Sequence, residues 1–439
     1  MTNQGIEAFG PLGASAIGIV SNYAYAGLPV AGSAGALARV TTSMRGLWMD
    51  QGSQWFGVSG EVFNAREFGL TGNGTTDDSA AMQALIDAAV TKGSAHLIFP
   101  YGTYLLNSQV TKTLAAVDIR LSFEGEAGAT FKLGADLASA DTAMINFAGS
   151  PTNSWITFRG LIFDGNLKRG SGLKVDQASE RSTLDRCYFK SFDEGHGAWF
   201  HRCIGVNLIG NHFLWNNINC EVGGVTSVGE GVIIGNKFES NTGFSRQLIL
   251  GTGITFMSVI GNTFFGEPDK SLEIADGAFC IGILFNSFED AIESIYCAGS
   301  VNEIIVEGNV IRCDNYNDGS TTYGINCASH LTNSRIQHNV IILEAAATRT
   351  CVGVRVAGQN ALTNRIGPNR FSTAGAGTNT EYSPADLYRS GGNHIIGAAN
   401  SDLIGFHGVT PIERAVLATG SSANDIITAL QNLGLVKQS

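Results

Sequence analysis

Asp176, His201 and Glu221 fall 25 and 20 residues apart, and each directly follows an apolar residue that closes a segment of alternating polarity. Two positions earlier in the same segments stand Lys174, Trp199 and Asn219, a set continued by Ile249, Glu273, Tyr296, Asn326 and Arg355. Carboxylates, an imidazole and flat rings on one face suit acid–base work on a sugar polymer. One carboxylic acid protonates a leaving oxygen, a carboxylate activates water, and aromatic faces carry amphipathic sugar rings. If the segments are stacked strands about 4.8 Å apart, Asp176 and Glu221 have backbones roughly 9.6 Å apart, as do Glu221 and Glu273. Carboxyl groups about 6.5–9.5 Å apart suit inversion and about 5–5.5 Å suits retention, so the spacing favours an inverting pair. The expected acid and base are therefore Glu221 with either Asp176 or Glu273, with His201 lying between Asp176 and Glu221 to tune one of them or to act as the acid. Trp199, Tyr296, Lys174, Asn219 and Arg202 are the expected substrate-binding residues. Beyond Glu221 that column continues as Gly251, Ala275, Ala298, Ala328 and Ala357, the profile of a groove with a charged end and an open floor. The alternative is a solvated face on which polar residues stack without forming a site.

Two apolar columns must hold these residues outward. They read Leu173, Ala198, Ile218, Leu248, Leu272, Ile295, Ile325, Val354 and, two residues on, Val175, Phe200, Cys220, Leu250, Ile274, Cys297, Cys327, Val356. A strand sends alternate side chains to opposite faces, so these are the buried faces of stacked rungs. A further row, Asn211, Asn236, Asn262, Asn286, Asn309, Asn339 and Asn369, is followed two residues later by Phe213, Phe238, Phe264, Phe288, Ile311, Ile341 and Phe371. Asn tolerates left-handed turn geometry, so the row is expected at a repeated turn, with the residue beyond it pointing inward. One such coil cannot bury its own core but a stack can, which predicts an all-β parallel β-helix.

Composition bounds the rest. The 439 residues include 56 Gly and only 8 Pro, with 15% charged residues, which suits one large solenoid with small appendages. A net charge of −11 and the lack of any Lys or Arg block argue against nucleic acid or an anionic membrane as partner. No apolar run has the length of a membrane helix, and no ordinary signal peptide is expected at the N-terminus. Of the 8 Cys, Cys220, Cys297 and Cys327 sit in the inner column and read as buried thiols rather than disulfides. No metal-ligand spacing or cofactor motif is found, and none is expected.

Residues 61–105 carry a motif: Phe63-Asn64-Ala65-Arg66-Glu67-Phe68-Gly69, Gly72-Asn73-Gly74-Thr75-Thr76-Asp77-Asp78, a helical segment, then Phe99-Pro100-Tyr101-Gly102-Thr103-Tyr104. It resembles the opening of the pectate-lyase-like right-handed β-helix superfamily, to which phage tailspikes and capsule depolymerases belong. The resemblance implies fold more than chemistry, because hydrolases, lyases, epimerases and inactive adhesins share the scaffold. Asp77 and Asp78 precede the apolar helical run 80–90 and are expected to cap it, the helix in turn closing the open end of the solenoid. Residues 1–60 are similar to the lead-in of phage and prophage spikes and hold Trp48, Trp55 and Phe56 that they cannot bury alone. Residues 402–436 are similar to the tail of phage receptor-binding proteins, and Ile426, Ile427, Leu430, Leu433 and Leu435 stripe a short helix. The expected domains are a lead-in at 1–60 for trimerisation or attachment to a virion baseplate or tail protein, a β-helix at 61–396, and a C-terminal trimerisation segment at 397–439.

Weaker signals complete the reading. Asp193-Glu194-Gly195-His196-Gly197 contains the Gly-His-Gly found in polygalacturonases, without their other elements, so Asp193, Glu194 and His196 are second-rank candidates in a turn beside the groove. Asp314-Asn315-Tyr316-Asn317-Asp318-Gly319 departs from a calcium loop at Tyr316 and reads as an extended turn. Glu289, Asp290 and Glu293 lie at a coil corner and are available to a binding rim. The expected function is a homotrimeric tailspike on a virion tail that depolymerises a bacterial capsular, lipopolysaccharide or exopolysaccharide by hydrolysis. A non-catalytic glycan-binding adhesin is the alternative. A lyase using His201 or Lys174 as base and Arg202 to neutralise a uronic acid is the rival within enzymes.

Overall fold

A computed structural model describes residues 62–383 except 115–118, 150–153, 177–180, 224–228, 241–245, 315–320, 347 and 360–363. It also describes short strands on either side. Ser21–Tyr23, Leu37–Val40, Gly46–Asp50 and Trp55–Gly57 form a four-stranded sheet. In a second unit, residues 389–439, Leu403–Ile404 pairs antiparallel with Ile412–Glu413. The side chains expected to trimerise at 1–60 and 423–436 lie outside the described residues.

The expected parallel β-helix is the observed fold, a right-handed solenoid of about 11 turns. Each central coil gives one strand to each of three parallel stacks, here called sheets A, B and C. In one coil these are Ser171–Asp176, Arg181–Asp185 and Tyr188–Lys190; in the next, His196–His201, Gly205–Ile209 and His212–Leu214. Equivalent strands pair in register from coil to coil. The core is one continuous column of apolar side chains, with Phe163, Phe189, Phe213, Phe238, Phe264 and Phe288 stacked at centroid spacings of 4.4, 5.1, 5.0, 4.9 and 4.6 Å. All eight cysteines are free, and burial pushes Cys187 and Cys203 up to about 12.

The asparagine row is structural, but for a different reason from the one expected. Left-handed backbone belongs to the residue before it: φ is 61° at Gly210, 63° at Gly235, 60° at Gly261, 56° at Phe285 and 70° at Gly308. The Asn side chains turn inward and form a buried amide ladder. Asn236 Oδ1 accepts from Asn211 N at 2.8 Å and Asn211 Nδ2 at 2.9 Å, while Asn236 Nδ2 donates to Asn262 Oδ1 and Leu208 O, both at 2.9 Å. The pattern repeats through Asn286, Asn309, Asn339 and Asn369. The amides supply partners for backbone groups that the turn takes out of the strand ladder, which a buried chain requires.

Helix α1, Ser79–Lys92, buries Met82, Leu85, Ile86 and Ala89 against the neighbouring strands Ser94–Phe99 and Val110–Leu114. Of the two expected caps only Asp77 acts on the helix, its Oδ1 accepting from Ser79 N at 3.0 Å and Ser79 Oγ at 2.6 Å. Asp78 makes no capping bond. Its buried carboxylate accepts from Thr71 N at 2.7 Å and Gly72 N at 3.0 Å, and so pins the preceding loop.

A register correction matters most for function. Ala198 pairs with Cys220 and Phe200 with Val222, and these two continue to Leu248 and Leu250. The alignment that placed Ile218 and Cys220 there is two residues early. Strand side chains alternate with period two, so a slip of two leaves the alternating pattern itself unchanged and apolar alternation cannot detect it.

Asn236→Ala is expected to lower folding stability by about 3 kcal/mol or more, because it strands two donors of Asn211 and the Leu208 carbonyl in the core. Chemical denaturation checks this.

Candidate active site

Correcting the register moves Glu221 out of the His201 column and into the column of Trp199. Sheet A then presents Lys174, Trp199, Glu221, Ile249, Glu273, Tyr296, Asn326 and Arg355 in consecutive coils. The column beyond it runs from Asp176 and His201 to Gly223 and Gly251, whose amides bond back to Phe200 and Val222. Asn219 is not on this surface. It is fully buried, accepts from Asn216 Nδ2 at 2.9 Å and donates to Glu239 O at 3.2 Å, so its expected role in substrate binding is withdrawn.

A third polar column was not anticipated. His196, Ile218, Arg246, Lys270, Glu293 and Tyr323 pair in succession at the start of the sheet A strands. Each stands three residues before its neighbour in the Trp199 column, a spacing that breaks strict alternation. The recurring charge at that offset was the signal available in the sequence.

Two histidine–carboxylate pairs flank Trp199. His201 Nδ1 lies 2.9 Å from Asp176 Oδ1, which also accepts from Arg202 Nη2 at 2.8 Å and Nε at 3.2 Å. His196 Nε2 lies 3.1 Å from Glu221 Oε2. His201 thus serves Asp176 alone and does not bridge to Glu221, while the second-rank His196 takes that place. Trp199 stacks on His196 at 4.8 Å and 10°, and Lys174 Nζ lies 3.8 Å from the indole centroid. Burial pushes the Asp176 carboxyl up, but the bonds from His201 and Arg202 outweigh it and leave the group below the ordinary carboxylate value.

Further down the strip Arg246 Nε approaches Glu273 Oε2 at 3.0 Å, close enough for ion pairing though not aligned as a hydrogen bond. Lys270 Nζ lies 4.0 Å from Glu293 Oε2 and 4.7 Å from the Tyr296 ring centroid. Burial raises Glu293 above its ordinary value, although Asn326 donates to it. Burial likewise raises Tyr296. Asp193 and Glu194 are exposed in the turn before His196. Glu289 and Asp290 lie on and just after sheet C. Of the calcium-like segment only Asp314 is among the described residues. Among those residues no cluster of His, Cys, Asp and Glu suits a metal ion, and no helix is long and apolar enough to cross a membrane.

The geometry is that of an open, charged strip on a right-handed solenoid, as in pectate-lyase-like proteins. Residues 62–164 match the family model described as rhamnogalacturonase A/epimerase, pectate lyase-like. That match ends before Lys174, so it covers the first coils and none of the strip. Mannuronan C5-epimerase AlgE1 of Azotobacter vinelandii is 32% identical over 119 residues, 26% of this chain and 8% of the epimerase. AlgE4 of the same organism is 30% identical over 118 residues, 26% of this chain and 21% of that protein. The chain thus spans a small part of these curated relatives. Among solved structures, DFA-IIIase of Arthrobacter chlorophenolicus A6 is similar in fold, with TM-score 0.57, 15% identity, and coverage of 75% of this chain and 88% of that one. The Dettilon tailspike protein gives TM-score 0.47 at 14% identity over 71% of this chain and 68% of its own.

Asp176→Asn is expected to lower stability at neutral pH by removing a bonded carboxylate. Because Asp176 is depressed in the folded state, its contribution is present above the unfolded carboxylate value of about 3.9 and is lost as pH falls through the lower folded value. Melting curves from pH 7 to pH 3 are expected to show the wild-type and variant proteins converging only at the acid end.

Proposed function

We propose that the chain is a carbohydrate-active enzyme that hydrolyses a bacterial surface polysaccharide along sheet A, with Glu221 as acid and Glu273 as base. The observation that carries this reading is the shared column. Glu221 and Glu273 are separated by a single rung, that of the nearly buried Ile249, so their backbones stand roughly 9.6 Å apart, at the upper edge of the inverting range. Arg246, 3.0 Å from Glu273 Oε2, positions the carboxylate that would take a proton from water. Glu221 is oriented by His196, and protonated it donates to the departing sugar oxygen. Asp176 is committed to Arg202 and His201 and is the weaker partner. His196 Nδ1 and Trp199 Nε1 are buried beside the strip without a hydrogen-bond partner among the described residues. Lys174 and Lys270 occupy aromatic surface on Trp199 and Tyr296, and their charges favour an acidic sugar beside those rings.

In this reading the molecule is a trimeric tailspike. Helix α1 covers the first coil, residues 1–60 attach to a virion baseplate or tail protein, and 397–439 help trimerise the chain. The support is the sequence resemblance of both ends and their apolar residues, which segments so short are not expected to bury alone. Light scattering is expected to give three chains per particle at micromolar concentration, and a monomer mass would count against it.

Elimination is the second reading, favoured by the Arg202–Asp176–His201 group and by relatives that act on mannuronan. Reducing-end release from purified capsule, read beside ultraviolet absorbance, separates the two: hydrolysis yields ends without absorbance, elimination yields both, and an adhesin yields neither. Glu221→Gln and Glu273→Gln are each expected to cut reducing-end release by about 10²–10⁴-fold with binding retained. Near wild-type turnover by Glu221→Gln would remove this site from consideration.

A further inference from the structure

Sheet B carries a second constellation, on the first coils and away from the sheet A strip. Ser94, Arg120, Trp155 and Arg181 stand in one column, paired rung to rung. Arg120 Cζ lies 5.0 Å and Arg181 Cζ 5.4 Å from the Trp155 ring centroid, so one indole is flanked by a guanidinium from the rung on each side. Trp155 is 41% exposed. Among the described residues neither guanidinium has an ion-pair or hydrogen-bond partner, although the backbone N–H of Arg120 donates to Gly93 O and that of Arg181 to Ser154 O. In a chain of net charge −11 with carboxylates in excess, two unneutralised guanidiniums held side by side are conspicuous.

Beside this column is an open cavity of about 310 Å³, lined by His96, Ser122 and Thr157 as well as Arg120 and Trp155. His96 Nε2 lies 2.8 Å from Glu124 Oε2, both groups partly exposed. The cavity therefore offers hydroxyls, an imidazole paired to Glu124, and the Arg120 guanidinium, with Arg181 on the far side of the Trp155 ring.

We propose that this is an accessory binding site for an acidic glycan, separate from the hydrolytic strip. Stacking on Trp155 restricts both guanidiniums before a ligand arrives, which lowers the ordering cost of binding. Their backbones are two rungs, roughly 9.6 Å, apart, so they address two anionic groups along an extended chain rather than one compact anion. A planar guanidinium meets a sugar carboxylate through paired N–H donors. Ser122, Thr157 and the His96–Glu124 pair then meet neutral hydroxyls of the intervening residue. Glu124 and the negative chain disfavour a phosphate-dense polymer, which is why the ligand is assigned as a glycan and not a nucleic acid. A site on the first coils anchors a long polymer while sheet A works elsewhere on it, raising the local concentration of substrate.

The test uses the full chain carrying Glu221→Gln to stop turnover, titrated calorimetrically with a polygalacturonate oligosaccharide, neutral dextran and a DNA duplex. The expected result is oligosaccharide binding that weakens with salt, and a loss of about tenfold or more on adding Arg120→Gln with Arg181→Gln. Trp155→Ala is expected to weaken binding too, with an unchanged melting temperature. In the Glu221 wild type, the two arginine changes are expected to leave cleavage of short soluble fragments intact. Absence of binding, equal binding of dextran or DNA, or unchanged affinity in the double variant overturns the proposal, whatever the outcome for hydrolysis. Should the double variant not fold, protection of Arg120 and Arg181 from phenylglyoxal by the oligosaccharide reads the same contact, and no protection overturns it.

Discussion

Rung spacing governs this molecule. Parallel strands bonded in register place each residue about 4.8 Å above its counterpart in the coil below, so like sits on like through the whole stack. For the core this is favourable: phenylalanine rings stack and Asn amides pass hydrogen bonds from coil to coil. The cost falls on the turns, where backbone groups leave the strand ladder. The Asn row meets that cost with an acceptor for the backbone N–H and a donor for a carbonyl in each neighbouring coil. Because every rung relies on the next, the ladder is also where a small change propagates furthest.

The same stacking organises the outer surface. Like charges stacked on nearby rungs would repel, and sheet A offsets this by pairing them with opposite charges. Arg246 meets Glu273 in the neighbouring column, Lys270 meets Glu293 on the next rung, and Arg202 meets Asp176. The result is a long strip of oriented charges, a shape suited to a polymer lying along it. Sheet B repeats the device with Arg120, Trp155 and Arg181, where an aromatic ring separates the cations.

Period-two alternation, the Asn and Phe rows and the opening motif made the solenoid legible in the chain, because burial in a repeated coil leaves a repeated mark on residue type. Trp199, Glu273, Asp176 and His201 were legible as outward-facing for the same reason. What alternation could not carry was absolute register across a gap of irregular length, and Glu221 was misplaced for that reason. Asn219 was misplaced, Arg246 escaped, and the pairing of His196 with Glu221 went unseen because alternation breaks where these strands begin.

By itself, then, the sequence determined which residues face in and which face out wherever strict alternation holds, since that depends only on local period and polarity, and it failed at Asn219 where alternation breaks. Which outward residues touch was decided by the tertiary structure. Hydrogen bonding between coils, not pattern within them, sets Glu221 against His196 and Trp199, and puts Asp176 with His201 and Arg202. Likewise Trp155, unremarked in the chain, gains its two arginines only when coils separated by unequal turns are brought into register.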